Sequence, residues 1–152
     1  RRLRDLWPHK LLIKGILHPE DAVLAADASV DDIFVSNHAG NVNDTAITAW
    51  DALPAIAEAV ENRLTIIADT GVRRRSDVLK GLALGADAIA NVRATLYGVA
   101  AAGKAGAIRA LEIFDAEIRR TMAVMGLNDI ASIGRENIRL PAKLPVSGSE
   151  KI

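Results

Sequence analysis

Four apolar runs of this sequence each lead into a side chain that could take part in chemistry. In chain order these side chains are Lys14, His38, Asp69 and Arg93. An imidazole can remove a proton near neutral pH, and the other three offer a carboxylate and two cations to a ligand. In parallel βα units the carboxyl ends of the strands all point the same way, which is where α/β barrels and open α/β sheets hold their active sites. The spacing therefore predicts an active-site rim.

The elements that must position this rim are short strands alternating with helices. Apolar, β-branched runs bounded by turn residues predict buried parallel strands at 11–14, 32–36, 64–69 and 88–92. Helical periodicity and capping residues predict helices at 3–7, 19–26, 50–61, 77–84, 95–102 and 105–125. The pattern is typical of the α/β class.

Four βα units are half of an eight-unit barrel. Alone they would leave two open sheet edges and an exposed apolar face, so we expect another segment to complete the barrel. Pairing of two copies and a smaller open sheet are the alternatives. The chain of 152 residues begins without methionine, and we expect it to lie within a longer polypeptide. One domain is predicted over 1–140, followed by a flexible tail at 141–152 rich in Pro, Ser and Gly.

Composition narrows the classes of function. Half of the residues are hydrophobic, a quarter are charged and the net charge is zero, so nothing suggests a nucleic-acid partner. No apolar run reaches the length of a membrane span, and we expect a cytoplasmic location. The absence of cysteine excludes disulfides and thiolate metal sites, and no metal site is predicted.

Several motifs resemble the FMN-dependent α-hydroxy-acid dehydrogenases and oxidases. Those motifs are 12–15 (LIKG), 35–40 (VSNHAG), 69–74 (DTGVRR) and 93–98 (RATLYG), with a further near-match at 77–86. The resemblance extends over about residues 6–140 and is closest to the mandelate dehydrogenase branch. It implies that the chain is the C-terminal half of a TIM (β/α)8 barrel, covering strands 5–8 and their helices, and that the cofactor is FMN.

The resemblance also implies roles for residues near the reacting atoms. His38 would be the general base that removes a proton from the substrate. Lys14 resembles the lysine that faces the N1–C2=O edge of the flavin, where a fixed cation stabilises the reduced, anionic ring. Ser36 resembles a residue that hydrogen-bonds to the flavin. By the same resemblance, His38 and Asn41 would both contact the substrate.

Four further residues resemble the contacts of the cofactor's ribityl chain and phosphate. Asp69, Gly71 and Arg73 follow the third strand of this chain, and Arg93 follows the fourth. A phosphate site made by two such loops and a short helix is common in barrels. The cluster of arginines at 73–75 also opposes the dipole of the helix that follows, which favours an anionic ligand.

The sequence departs from the family pattern in the loops that bind ligands. Asn41 stands where the family has an arginine that forks onto the substrate carboxylate, and an amide cannot form that bidentate ion pair. Val92 and Arg75 replace glycines, and Thr70 replaces another. These changes indicate an altered active site.

The expected function is FMN-dependent oxidation of a mandelate-like 2-hydroxy acid to the 2-keto acid, with electrons passing to the flavin. The family's other half supplies further substrate and flavin contacts, so we expect these 152 residues alone to be inactive. Expected partners are the N-terminal half of the barrel or a second copy, within a homo-oligomer; any membrane association would use a segment outside this chain. One alternative is a non-catalytic half-barrel that keeps the scaffold and phosphate affinity. Another is an isomerase or aldolase that uses Lys14 as an amine.

Overall fold

Four parallel strands in sequential order form the sheet of this chain. The structure, a computed structural model, describes residues 2–139. Its strands are β1 (Leu12–Ile16), β2 (Asp32–Val35), β3 (Thr65–Ala68) and β4 (Ala88–Ile89). Its helices are α1 (Arg2–Leu6), α2 (Pro19–Asp27), α3 (Ala49–Val60), α4 (Arg75–Ala83) and α5 (Arg93–Met125). Strands and helices alternate as predicted; the predicted tail at 141–152 lies outside the described residues.

The order of the strands decides between a barrel segment and an open doubly wound sheet. Each strand pairs with the next one along the chain, without a reversal of direction. Right-handed crossovers that always advance in one direction place their helices on a single face of the sheet. A doubly wound sheet reverses its order and covers both faces. The sheet is therefore an arc of a singly wound barrel, with helices outside.

Side-chain burial follows the same division. Ile33 and Val35 of β2 and Ile66 and Ala68 of β3 point to the helices and are buried, whereas Phe34 between them is only partly covered. Helix α3, which was predicted from its periodicity, packs against these strands through the fully buried Leu53, Ile56 and Val60. The main core thus lies between the sheet and helices α2 and α3.

Two strand ends differ from the prediction by more than one residue. β1 continues two residues past Lys14, because the pairing with β2 shifts between Lys14 and Ile16 at a bulge where Gly15 has φ +100°. β4 ends at Ile89 instead of Val92. The last bond of its ladder runs from the Ala90 amide to the Ala68 carbonyl (2.9 Å), after which the chain turns into α5.

Helix α5 consists of two arms joined by a sharp corner. Ala102 and Gly103 leave the helical conformation, so the arms span 93–101 and 104–125, close to the two helices predicted. A methyl group added at Gly106 would collide with the backbone carbonyl of Gly98. This contact between two glycines fixes the first arm, which begins at Arg93, against the second.

Both outer strands of the sheet lack a neighbour in the described part of the chain. Leu12 and Ile13 of β1 point to opposite faces and are 39% and 37% exposed. Such apolar, unpaired edges are uncommon at a protein surface. None of the helices between residues 2 and 139 has the length and apolar character that crossing a bilayer requires.

Candidate active site

A cleft of about 230 Å³ lies at the carboxyl ends of the four strands. Its lining includes, from the sequence-predicted site, Lys14, His38, Asn41, Asp69, Gly71, Arg73 and Arg93. Ser36 does not line the cleft but lies under it, 2% exposed. The structure therefore brings together, at one rim, side chains that are up to 79 residues apart in sequence (14 to 93). Within residues 2–139 no cluster of acidic and imidazole groups is arranged to hold a metal ion.

Lys14 is held by groups from two neighbouring strands. Its ammonium group donates to the Ser36 hydroxyl (3.0 Å), is ion-paired with Asp69, and lies 4.8 Å from the centre of the Phe34 ring. Phe34 was not among the predicted site residues, although its register opposite Lys14 puts it on the same face. Schiff-base chemistry needs an amine that is available to attack a carbonyl, whereas the Lys14 nitrogen is engaged by Asp69 and Ser36. The contacts therefore oppose the aldolase alternative.

Asp69 is the carboxylate at the centre of this network. Burial raises its pKa, but hydrogen bonds from Lys14, Ser36 and Thr70 and the charge of Lys14 lower it by more, so that its pKa lies below the ordinary value of 3.8. The Thr70 hydroxyl donates to Oδ1 over 2.7 Å. The network keeps the Asp69 carboxyl ionised and thereby maintains its ion pair with Lys14.

This shift predicts a pH-dependent contribution to stability. A carboxyl whose pKa is lowered by folding stabilises the native state above its unfolded pKa, and this contribution is lost as the pH falls through the folded pKa. We expect the difference in free energy of unfolding between the wild type and Asp69→Asn to be constant above about pH 5 and to shrink below pH 3.8. Urea unfolding from about pH 3 to 7 measures it. A difference that grows on acidification would contradict the assignment.

His38 begins a short loop with an unusual backbone. Its amide donates to the buried Ser36 hydroxyl (3.1 Å), which anchors the loop to the end of β2. His38, Ala39 and Gly40 have φ of +56°, +60° and +72°. Left-handed conformations are unfavourable for residues with a Cβ and are retained mainly where surrounding contacts enforce them. The strained turn places the exposed imidazole at the mouth of the cleft.

Three of the four residues that depart from the family pattern inferred from the resemblance lie at the cleft, and Arg75 does not. Asn41 and Val92 both contribute to the lining, and Val92 is 66% exposed. An amide and an isopropyl group therefore share this surface with the cations, the imidazole and the Asp69 carboxylate. Thr70, the third departure, has φ +80°, a region that a β-branched residue rarely adopts.

Arg73 and Arg93 separate the cleft from a second cavity. This outer cavity has a volume of about 470 Å³ and is lined by both arginines together with Val72, Arg74, Ala94 and Tyr97. Neither Arg73 nor Arg93 is among the ion pairs of the described residues. Two guanidinium groups without a carboxylate partner favour an anion that can neutralise them both.

The third arginine of the cluster has a different environment. Arg75 is ion-paired with Glu117 of α5 over 3.4 Å, so its charge at the start of α4 is balanced within the chain. Helix α4 begins at Arg75, earlier than predicted, because the Asp77 carboxylate accepts hydrogen bonds from the amides of Arg73 and Arg74. Asp77 thereby also fixes the backbone from which Arg73 extends.

A singly wound arc of parallel strands with a cleft beyond its carboxyl ends defines a segment of a (β/α)8 barrel. The comparison with protein families gives the particular group. The model of the FMN-dependent dehydrogenases matches residues 1–140, and the chain belongs to this family.

Individual relatives agree with this assignment. An L-lactate dehydrogenase of Caulobacter vibrioides is 47% identical over 146 residues, which make up 96% of this chain and 38% of the relative. The crystal structure of the monotopic membrane protein (S)-mandelate dehydrogenase superimposes with a TM-score of 0.87 at 42% identity, over 91% of this chain and 36% of that one. A variant of mandelate oxidase with the monooxide FMN adduct gives a TM-score of 0.85 at 36% identity, over 88% of this chain and 43% of that one.

These comparisons confirm the predicted family, its cofactor FMN and the predicted fold, a part of a TIM (β/α)8 barrel. The chain spans little more than a third of the length of the L-lactate and (S)-mandelate dehydrogenases. The strands that would close the barrel therefore lie outside the part of these relatives that matches this chain.

Proposed function

We propose that this chain is the FMN-binding (βα)5–8 half of a barrel that oxidises a 2-hydroxy acid to the 2-keto acid. The observation that supports this most directly is the placement of His38, Lys14 and the arginine pair around one cleft. The similarity to an L-lactate dehydrogenase and to (S)-mandelate dehydrogenase supports this reaction type.

The residues present fit FMN. The pair Arg73 and Arg93 suits the phosphate, with the amide of Gly71 close by in the same lining. Asp69 would accept hydrogen bonds from the hydroxyls of the ribityl chain. Lys14, held 3.0 Å from Ser36, would place its positive charge beside the ring. When bound, FMN would supply the acceptor for two electrons.

The chain's own part in the reaction is to hold and move a proton. His38 would take a proton from the substrate, as the one imidazole that lines the cleft within residues 2–139. Lys14 would be held in place in the same cleft by its contacts with Asp69 and Ser36. A fixed cation stabilises negative charge that develops during the reaction.

Absorption spectroscopy tests this proposal. The barrel assembled with its missing half should be yellow when purified, and L-lactate or (S)-mandelate should bleach the flavin band under anaerobic conditions. A colourless protein that does not take up added FMN would overturn the proposal.

We propose that the missing neighbours of β1 and β4 are the N-terminal half of the barrel, supplied by the same polypeptide or by a partner chain. A second copy of this chain is the alternative, and a homo-oligomer is compatible with either. The open edges support the proposal, since unpaired apolar strands favour association. We also propose a cytoplasmic location, with any membrane attachment outside these residues; the monotopic relative supports attachment.

A second candidate function is a non-catalytic half-barrel that retains phosphate affinity. Asn41 favours it, because an amide in the cleft replaces the cation that would bind a substrate carboxylate. Both candidates predict FMN binding, and only the first predicts bleaching by an acid.

Asn41→Arg tests the role of this position. A charged hydrogen-bond pair contributes about 1.5–3 kcal/mol, so we expect the variant to bind 2-hydroxy acids about 10- to 100-fold more tightly. Titration of the assembled barrel with (S)-mandelate measures the change. The matched control is Asn43→Arg, which adds the same charge in the same loop outside the cleft lining. Equal effects of the two substitutions would contradict a specific role for position 41.

A further inference from the structure

The indole of Trp50 lies directly behind the rim loop of residues 69–74. Trp50 is the second residue of α3 and is not part of the cleft lining. A Cβ built at Gly71, in the middle of this loop, would lie 3.5 Å from the indole Nε1. The Nε1 edge of the ring therefore faces the loop at Gly71, in the space that a Cβ at this position would enter.

The other end of the same ring is wedged against α4. A Cβ built at Gly81 would lie 2.6 Å from Cζ3 and 3.1 Å from Cη2 of Trp50, and it would also collide with the Ile89 side chain. Trp50 packs against the main hydrophobic core from this position. Because Gly81 leaves only enough room for the ring, the indole cannot withdraw from the loop without disturbing α4.

The loop itself needs support. Thr70 has φ +80°, a left-handed conformation that a β-branched residue retains only when its surroundings enforce it, and Gly71 follows with φ +76°. At the other end of the loop the Asp77 carboxylate accepts hydrogen bonds from the amides of Arg73 and Arg74. The Trp50 ring edge lies beside Gly71, directly after the strained Thr70.

We propose that Trp50 is a positioning residue that fixes the 69–74 loop in the conformation that binds the phosphate of the cofactor. This rests on the proposed function, since the ligand of the loop is taken to be FMN phosphate. Removal of the indole would let Thr70 and Gly71 relax, and Arg73 would then no longer converge with Arg93 on one anion.

Hydrogen exchange on the ligand-free full chain tests the positioning role directly. In Trp50→Ala we expect the amides of residues 70–74 to exchange at least about tenfold faster than in the wild type, relative to the amides of β3. Ile56→Ala is the matched control, because Ile56 is fully buried on the same helix and lies in the core away from the rim. That variant should speed exchange uniformly. Unchanged relative exchange of 70–74 in Trp50→Ala, or the same local change in Ile56→Ala, would overturn the proposal.

A second variant covers the case in which Trp50→Ala fails to fold. Trp50→Phe keeps an aromatic ring on α3, but the shorter side chain loses both Nε1 beside Gly71 and the Cζ3–Cη2 end against Gly81. We expect faster exchange at 70–74 than at β3, and about a tenfold weaker affinity for inorganic phosphate. Normal exchange at 70–74 in this variant would also refute the role of Trp50.

The two proposals fail in different ways. A wild-type chain that binds neither inorganic phosphate nor FMN, with loop exchange still dependent on Trp50, would overturn the flavin proposal and leave the indole as the support of the loop. Wild-type FMN binding that Trp50→Phe does not alter, with unchanged loop exchange, would remove Trp50 and leave the flavin proposal intact.

Discussion

His38→Ala should reduce substrate-driven bleaching of the flavin by about 10²- to 10⁴-fold while leaving FMN affinity within about twofold. His38 lines the cleft and is exposed, and the proposed phosphate contacts are made by Arg73 and Arg93 instead, so its loss should leave cofactor binding largely intact. The other group in the lining that could accept a proton, Asp69, is ion-paired with Lys14 and has a lowered pKa. Stopped-flow absorbance of the assembled barrel with (S)-mandelate and L-lactate measures the rate.

The appropriate control is His9→Ala. His9 stacks edge-on against Trp7, with ring centroids 5.2 Å apart, and lies outside the cleft lining. This variant should bleach at the wild-type rate. Wild-type bleaching by His38→Ala would exclude the imidazole as the base, and equal losses in both histidine variants would indicate a general effect on folding.

The double variant Arg73→Ala/Arg93→Ala should lose FMN affinity by about 10²- to 10⁴-fold. Each charged hydrogen bond contributes about 1.5–3 kcal/mol, and the two arginines line both the cleft and the outer cavity. Riboflavin lacks the phosphate, so its affinity should change little. Quenching of flavin fluorescence by the protein gives both dissociation constants.

Arg75→Ala provides a control with the same chemical change in the same cluster. Because Arg75 is paired with Glu117 and lines neither cavity, we expect less than about a threefold effect on FMN affinity. If the double variant weakened riboflavin as much as FMN, the arginines would be supporting the loops instead of binding phosphate.

Much of the fold could be predicted because local signals agreed with the tertiary structure. All four strands were identified from apolar runs between turn residues, and helix α3 was identified from its helical spacing. The gathering of Lys14, His38 and Arg93 needed only the rule that parallel strands share a direction. Apolar runs and helical spacing are properties of short segments, and they can be identified directly in the sequence.

What could not be predicted depends on how segments meet. The ion pair of Lys14 with Asp69 joins residues 55 positions apart, and it exists because strand register sets both on the inner side of the sheet. The extension of β1 through a bulge is likewise a matter of pairing. Helix α4 was predicted to begin at residue 77, but the Asp77 carboxylate accepts hydrogen bonds from the amides of Arg73 and Arg74, and the helix starts at Arg75.

The core between sheet and helices is built from side chains that never reach the cleft, such as Ile33, Val35 and Ile66. Substitutions among the residues that line the cleft therefore leave most of the free energy of folding untouched. Selection for a new ligand, or loss of selection for ligand binding, can therefore change the side chains of the cleft without changing the fold. Asn41 and Val92 lie on this separable surface, outside the core.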